Sequence, residues 1–378
     1  MRALVAVVAR GGDAFVEVLQ RVWDGGDAVL PLDPRLPPPA AAALLDALRP
    51  AAVVDPADGT RSSRAGGEVT AVPVEAGDAL VVATSGTTGA PRGSVLTTDA
   101  VVASAIATST HLGVDPARDR WLACLPLAHV GGLSVVTRSL VTGTPLTVLP
   151  GPDPSGVEAA ARDGGATLVS LVATALGRLD ASGFRTVVLG GAAPPAVLPA
   201  NVQVTWGMTE TGSGVVYDRR PLPGVELRVV DGELHVRGAM LARAYRDGTP
   251  TVDADGWLRT GDGAEIGPDG RLSVSGRLGD VIVTGGEKVW PDPVERILHT
   301  VPGVGEVAVA GRPDPEWGHA VVAWVVPSDP ARPPTLTALR EAVREVLPPW
   351  AAPRRLVLVG SLPRTALGKV RRVALREP

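Results

Sequence analysis

Apolar positions in this chain come in short runs broken by turns. The run Ala79-Leu80-Val81-Val82-Ala83 has strand length and no polar interruption, and it predicts a buried strand. It leads into Thr84-Ser85-Gly86-Thr87-Thr88-Gly89-Ala90-Pro91-Arg92-Gly93-Ser94. Beyond that stretch Thr97, Thr98 and Asp99 offer N-caps for a helix over 100–111. The expected local unit is strand, loop, helix. Further apolar strands are expected at 121–127, 144–149, 167–172, 186–189 and 202–205, with helices such as 133–140 and 157–162 between them. That alternation predicts an α/β layer with a largely parallel sheet.

Other segments break the pattern. Residues 28–30 read as a short strand. Residues 31–37 read as a turn and an extended piece, because Pro31, Pro34 and Pro37 oppose regular pairing, and 40–48 reads as a helix ended by Pro50. From Gly224 onward the period changes. Residues 225–230 and 233–237 flank Asp231-Gly232, a hairpin signature, and 257–260 and 271–275 continue in β style. After 276–279 the chain alternates again, with helices at 291–299 and 336–347 and strands at 307–310, 320–326 and 355–359. The expectation is an α/β protein: a large N-terminal domain over 1–276 with mainly parallel sheets and a β-rich subdomain, then a small mobile α+β domain over 277–378. The hinge is expected near Gly279, whose backbone is free of Cβ restriction.

Composition narrows the class. A net charge of −4 over 378 residues gives no reason to expect nucleic acid or a membrane surface as partner. One cysteine, Cys124, rules out an intrachain disulfide and fits a reducing compartment. The apolar run 3–9 is weak as a signal peptide, and 130–149 is interrupted by Arg138, so no membrane span is expected. The expectation is a soluble cytoplasmic protein, with a homo-oligomer left open. Of 36 basic residues only Lys288 and Lys369 are lysine. A lysine kept in so arginine-rich a chain marks a place where a compact ammonium is needed, or simple chance.

The candidate chemistry lies in the turns. Glycine N–H groups, hydroxyls and Arg92 in the stretch from Thr84 suit a polyphosphate; the rival is a Gly/Thr-rich surface turn. It is not a Walker A loop, which requires G-x-x-x-x-G-K-S/T. Trp206-Gly207-Met208-Thr209-Glu210-Thr211-Gly212 leaves the end of a strand, where α/β sheets bind ligands; Glu210 suits Mg²⁺ and Thr209 a phosphate. Gly190-Gly191-Ala192 would let a flat base lie on the backbone. Asp262, in Thr260-Gly261-Asp262, suits ribose hydroxyls, and Arg277 a nucleotide. Taken singly, these read as well as turns, a solvated acid and a salt-bridged linker. Lys369 is a mobile ammonium or part of a basic tail. His129, before Gly131-Gly132, is a pocket wall or a core histidine; no metal-ligand spacing surrounds it. Cys124 reads as core.

Taken together, Thr84 to Gly93, Trp206 to Gly212, Thr260 to Asp262, Gly276 to Glu287 and Pro363 to Lys369 resemble, in order, the core motifs of the adenylate-forming acyl-CoA ligase superfamily. The resemblance implies two steps. A carboxylate and ATP give an acyl-adenylate and pyrophosphate, and coenzyme A then takes the acyl group. It implies that Thr84, Ser85, Gly86, Thr87, Thr88, Gly89 and Arg92 hold the β- and γ-phosphates. Thr209 would meet the α-phosphate and Glu210 the Mg²⁺. Trp206, Gly190, Gly191 and Ala192 would frame adenine, and Asp262 and Arg277 the ribose. Lys369 would be the catalytic lysine, His129, Gly131 and Gly132 the acyl pocket, and Gly285 and Gly286 the coenzyme A channel. Two positions depart from the pattern: Arg92 replaces the usual lysine, and Gly279 stands where a hinge side chain is common. The short chain, with its N-terminal portion cut back, and the segments 31–37 and 126–132 are most similar to the o-succinylbenzoate–CoA ligases of menaquinone synthesis. The alternatives are another aryl- or fatty-acyl-CoA ligase of the superfamily, or a nucleotide-binding sensor without catalysis.

Overall fold

The structure, a computed structural model, describes residues 2–63, 72–85, 91–151, 153–192, 194–195, 197–364 and 370–376. It divides into two compact units, Met1–Leu227 with His235–Arg259, and Arg228–Leu234 with Thr260–Pro378.

The first unit is built on two seven-stranded sheets. One runs in the order Ala244–Tyr245, Pro91–Thr97, Asp78–Ser85, Ala28–Leu32, Leu4–Val8, Ala52–Val54, Arg61–Ser63. Its middle strands pair in parallel and its outer strands antiparallel. The apolar N-terminal run is thus a fully paired strand, with Leu4 and Ala6 wholly buried beside Leu30 and Val81. Helix Asp13–Asp24, which the apolar pattern had not suggested, follows it and buries Phe15 and Leu19. The expectation that prolines bar 31–37 from pairing fails at Pro31. Pro31 lies in strand Ala28–Leu32, in register with Val7. The only registered partner across to the next strand is Leu80 on Val29, so the missing N–H of Pro31 falls beyond that side of the ladder.

The second sheet runs Arg220–Pro221, Gly214–Tyr217, Val202–Gly207, Thr186–Gly190, Leu168–Val172, Trp121–Ala123, Leu146–Val148. Its last five strands are parallel, as the alternation predicts. Val169, Val187 and Leu189 carry its core with Phe184 and Val157. The expected 121–127 strand stops at Ala123, and the next helix, Val130–Thr142, begins earlier than expected and takes in Gly131 and Gly132. Gly132 is required there: a Cβ would stand 2.5 Å from the carbonyl oxygens of Leu125 and Pro126.

The strand–loop–helix expectation also needs correction. Asp78–Ser85 is followed by a second strand, Pro91–Thr97, folded back antiparallel with Thr84 opposite Arg92 and Ser85 opposite Pro91. Helix Thr98–His111 comes only then, capped by Thr97 Oγ1 accepting from Ala100 N–H. Gly86, Thr87, Thr88, Gly89 and Ala90 lie outside the described residues.

A four-stranded sheet runs Glu226–Val230, Glu233–Arg237, Leu258–Ile266, Leu272–Arg277. The turn between the first two strands has Asp231 at φ 51° and Gly232 at φ 81°, the left-handed pair that a two-residue hairpin demands. The second unit holds a five-stranded sheet of Glu287–Val289, Ile282–Thr284, Gly318–Pro327 and Val304–Asp314, with Arg355–Leu358 parallel on Gly318–Pro327. Helices Pro291–Leu298 and Leu336–Val346 bury Val294, Leu298, Leu339 and Val343 against Val309 and Val321.

Candidate active site

Parallel pairing brings three strand ends to one edge of the second sheet. Gly190 lies in register with Val172, and Leu189 with Val204, so the Gly190-Gly191-Ala192 turn and Trp206 emerge side by side. That is the edge at which open α/β sheets bind ligands. Beyond Trp206 the chain makes one 3₁₀ turn, Thr209–Thr211. Met208 N–H donates to Thr211 Oγ1 at 2.9 Å, and Gly212, at φ 68°, ends the turn.

Glu210 is thereby held inward, 6% exposed. Its carbonyl accepts from Ala242 N–H at 2.8 Å, and its Oε1 accepts from the Tyr245 hydroxyl at 2.9 Å. No cation pairs with it among the described residues. A buried carboxylate with one free oxygen suits Mg²⁺, which takes one or two carboxylates plus phosphate oxygens. The described residues hold no cluster of three or more His, Cys, Asp or Glu side chains. Burial, and next the Glu210 charge, push the Tyr245 phenol up to about 12, so it stays a donor.

Arg92 is not the free loop cation of the sequence reading. It stands on strand Pro91–Thr97, its guanidinium 3.8 Å from the centre of the Tyr245 ring and 3.2 Å from Asp247. Thr84 is beside it, with Oγ1 3.4 Å from the Arg92 carbonyl.

His129 is the N-cap residue of helix Val130–Thr142, and its Nε2 lies 3.6 Å from Asp33. Burial opposes the charge of Asp33, but bonds from Arg35 at 2.6 and 2.9 Å outweigh it and hold the carboxyl below its usual range. A narrow cleft nearby is lined by Leu80, Leu96, Val101, Val130, Leu133 and Gly212. Its walls include the neighbours of His129, Gly131 and Gly132, not those three residues.

One residue escaped the sequence reading. Arg138 is the single charged residue in helix Val130–Thr142 and is 2% exposed. Its guanidinium donates to Ser213 Oγ and, at 3.5 Å, to Ser170 Oγ, and sits 5.3 Å from the Trp121 ring centre. No carboxylate pairs with it among the described residues, and its Nε finds no partner; Trp121 Nε1 and the Tyr217 hydroxyl are likewise buried without one. Burial pulls its pKa down. The available signal was a lone charge inside an apolar helix.

The second unit holds the remaining candidates. Asp262 and Arg277 are register partners across two strands, joined at 3.0 Å, and Arg277 also donates to the Thr260 carbonyl at 2.6 Å. Gly285 and Gly286, at φ 59° and 86°, form the turn between Ile282–Thr284 and Glu287–Val289. Gly279 lies in the 3₁₀ turn Leu278–Asp280. Lys369 lies outside the described residues. Described residues before and after that segment make ion pairs. Arg364 pairs with Glu306 at 2.8 Å and bridges to Val370. Arg372 reaches Asp280 at 3.1 Å and Asp292 and Glu295 at 2.7 Å, and Arg376 reaches Asp280 at 2.8 Å.

The chain matches the family described as "AMP-binding enzyme" over residues 2–246 and "AMP-binding enzyme C-terminal domain" over 293–369, and it belongs to that family. Among its relatives is a "Probable 2-succinylbenzoate–CoA ligase" of Mycobacterium tuberculosis, 42% identical over 322 residues, covering 79% of this chain and 83% of the relative. The 2-succinylbenzoate–CoA ligase of Bacillus cytotoxicus is 34% identical, covering 79% and 69%. The o-succinylbenzoate coenzyme A synthetase of Bacillus subtilis, solved with ATP and magnesium ion, superposes with a TM-score of 0.85 at 25% identity, covering 99% of this chain and 89% of that one. Among the described residues no helix is long and apolar enough to cross a membrane.

Proposed function

We propose that this chain is an ATP-dependent acid–thiol ligase that activates 2-succinylbenzoate and transfers it to coenzyme A in the cytoplasm. The relatives' names supply the acid. The observation in this chain that carries the reading is Arg138, a buried guanidinium without a carboxylate partner among the described residues. 2-Succinylbenzoate has two carboxylates. Activating one leaves the other free to pair with a cation, and pairing of that second carboxylate with Arg138 would favour a diacid over a monoacid.

The reaction needs positioning and charge stabilisation more than covalent chemistry from the protein. A substrate carboxylate oxygen attacks the α-phosphorus and pyrophosphate leaves. The thiol then attacks the acyl carbon and AMP leaves. Thr84, Ser85, Gly86, Thr87, Thr88 and Gly89 cradle the β- and γ-phosphates, with Arg92 at the base of the loop. Thr209 meets the α-phosphate. Glu210 holds Mg²⁺, which when bound neutralises phosphate charge. Trp206 with Gly190, Gly191 and Ala192 frames adenine, and Asp262 with Arg277 receives the ribose. Lys369 spans the attacking carboxylate and the α-phosphate. His129, Gly131 and Gly132 bound the acyl site. Motion of 277–378 about Gly279 then exchanges Lys369 for the Gly285-Gly286 turn beside the pantetheine.

The test is a panel of mono- and dicarboxylic acids with ATP, Mg²⁺ and coenzyme A, read by AMP release and by the mass of the thioester. 2-Succinylbenzoate should turn over fastest. If it is inert while a monoacid reacts, the diacid reading fails and the ligase class stands.

A further inference from the structure

The loop from Thr84 and the turn at Glu210 are far apart in sequence, and one side chain touches the residues at the edge of both. We infer that Tyr245 is a positioning residue that sets the metal-holding carboxylate and the phosphate-loop cation together. The inference rests on the reading that Glu210 faces Mg²⁺ and ATP. Tyr245 lies on the edge strand Ala244–Tyr245, paired with Pro91–Thr97 so that it stands opposite Ser94, two residues past Arg92. Its backbone place is fixed by neighbours: Arg246 N–H donates to the Gly93 carbonyl at 2.7 Å, and Tyr245 N–H to the Thr249 carbonyl at 2.8 Å. From there the hydroxyl reaches Glu210 Oε1 at 2.9 Å, and the ring face lies under Arg92 at 3.8 Å.

The two ends of the side chain do different work. The phenol occupies Oε1 and leaves Oε2 without a described partner, so the carboxylate presents one defined oxygen. Partners outside the ligand shell of this kind orient metal ligands and raise metal affinity. The ring holds the guanidinium by its π-face, and Asp247 pairs with it at 3.2 Å. Arg92 is thereby kept at the strand end that anchors the loop. A lysine would lack the flat face that stacks here, so the substitution of Arg for Lys and the presence of Tyr245 form one arrangement.

The experiment uses the full chain with Mn²⁺ as probe, in the presence of α,β-methylene-ATP, which the enzyme cannot adenylate with. Bound Mn²⁺ is read by electron paramagnetic resonance. Tyr245→Phe keeps the ring, the stack and the strand pairing. It should weaken Mn²⁺ about tenfold, with the KM for the acid and the melting temperature unchanged. Arg92→Gln removes only the stacked cation; it should raise the KM for ATP with Mn²⁺ affinity retained. Glu210→Gln is the control. If Glu210→Gln abolishes tight Mn²⁺ binding and Tyr245→Phe leaves it at the wild-type value, the inference is overturned and the reading of Glu210 stands. If Glu210→Gln leaves Mn²⁺ binding unchanged, both fall. Should Tyr245→Phe lower the melting temperature, restored Mn²⁺ affinity in Tyr245→His, which returns a ring donor, supports positioning; failure to restore it counts against.

Discussion

Arg138→Met should make a less active protein of nearly unchanged stability. The guanidinium is 2% exposed and, among the described residues, contacts two serine hydroxyls and the Trp121 ring. Burying an ion costs several kcal/mol even after relaxation, and replacing buried charge by a packed apolar side chain is often stabilising by about 1–4 kcal/mol. Against this stand lost bonds to the hydroxyls, about 1–3 kcal/mol, and the ring contact, about 0.5–2 kcal/mol. These opposing terms nearly cancel, leaving a net change of about 1 kcal/mol or less. The melting temperature should therefore stay within about 2–4 °C of the wild type for a unit of this length. Activity should fall. Truncating one member of a buried charge pair costs about 2–5 kcal/mol, so kcat/KM for 2-succinylbenzoate should fall by about thirtyfold or more. The assay compares the diacid with its two monoacid analogues, each lacking one carboxylate, alongside a thermal melt. The variant should lose its preference for the diacid and keep its rate on the monoacid that still reacts. A lower melting temperature with equal losses on every acid would mean that Arg138 serves the fold, and the diacid argument would fail.

Lys369→Ala should abolish most adenylation yet still pass a supplied acyl-adenylate to coenzyme A; equal loss in both half-reactions would refute the two-position mechanism. Asp119 tests pH dependence. Burial opposes its charge, but Arg185 at 2.8 and 3.0 Å, Asp115 N–H and Thr167 outweigh it, and the carboxyl is held below its ordinary value. A folded pKa below the unfolded one, about 3.9, contributes stability that is complete above that range and lost as pH falls through the folded value. Asp119→Asn should therefore lower the urea midpoint at pH 7, and the gap to the wild type should narrow as the pH falls below about 3.9. A gap that persists in acid would exclude this cause. Cys124 is buried and its thiol is pushed up to about 12 by desolvation, so native protein should resist alkylation at pH 8 and react only once unfolded.

The chain by itself determined the elements whose signals are local. Runs such as 186–189 and 202–205 became neighbouring parallel strands, and Asp231-Gly232 became the left-handed turn of a hairpin. The ordered motifs were legible for the same reason, since each is a short contiguous run, such as Trp206 to Gly212 at the end of a strand. Tertiary structure decided what depends on partners distant along the chain. Pro91–Thr97 begins with Pro, Arg and Gly, too polar to read as a strand, and is one because Asp78–Ser85 and Ala244–Tyr245 flank it. Arg92 and Asp247 are 155 positions apart, and Glu210 and Tyr245 are 35 apart. Periodicity records which face of an element is apolar. It carries no record of which distant side chain neutralises a charge, and so Arg138, a lone cation in an apolar helix, became meaningful only once its burial among hydroxyls was known.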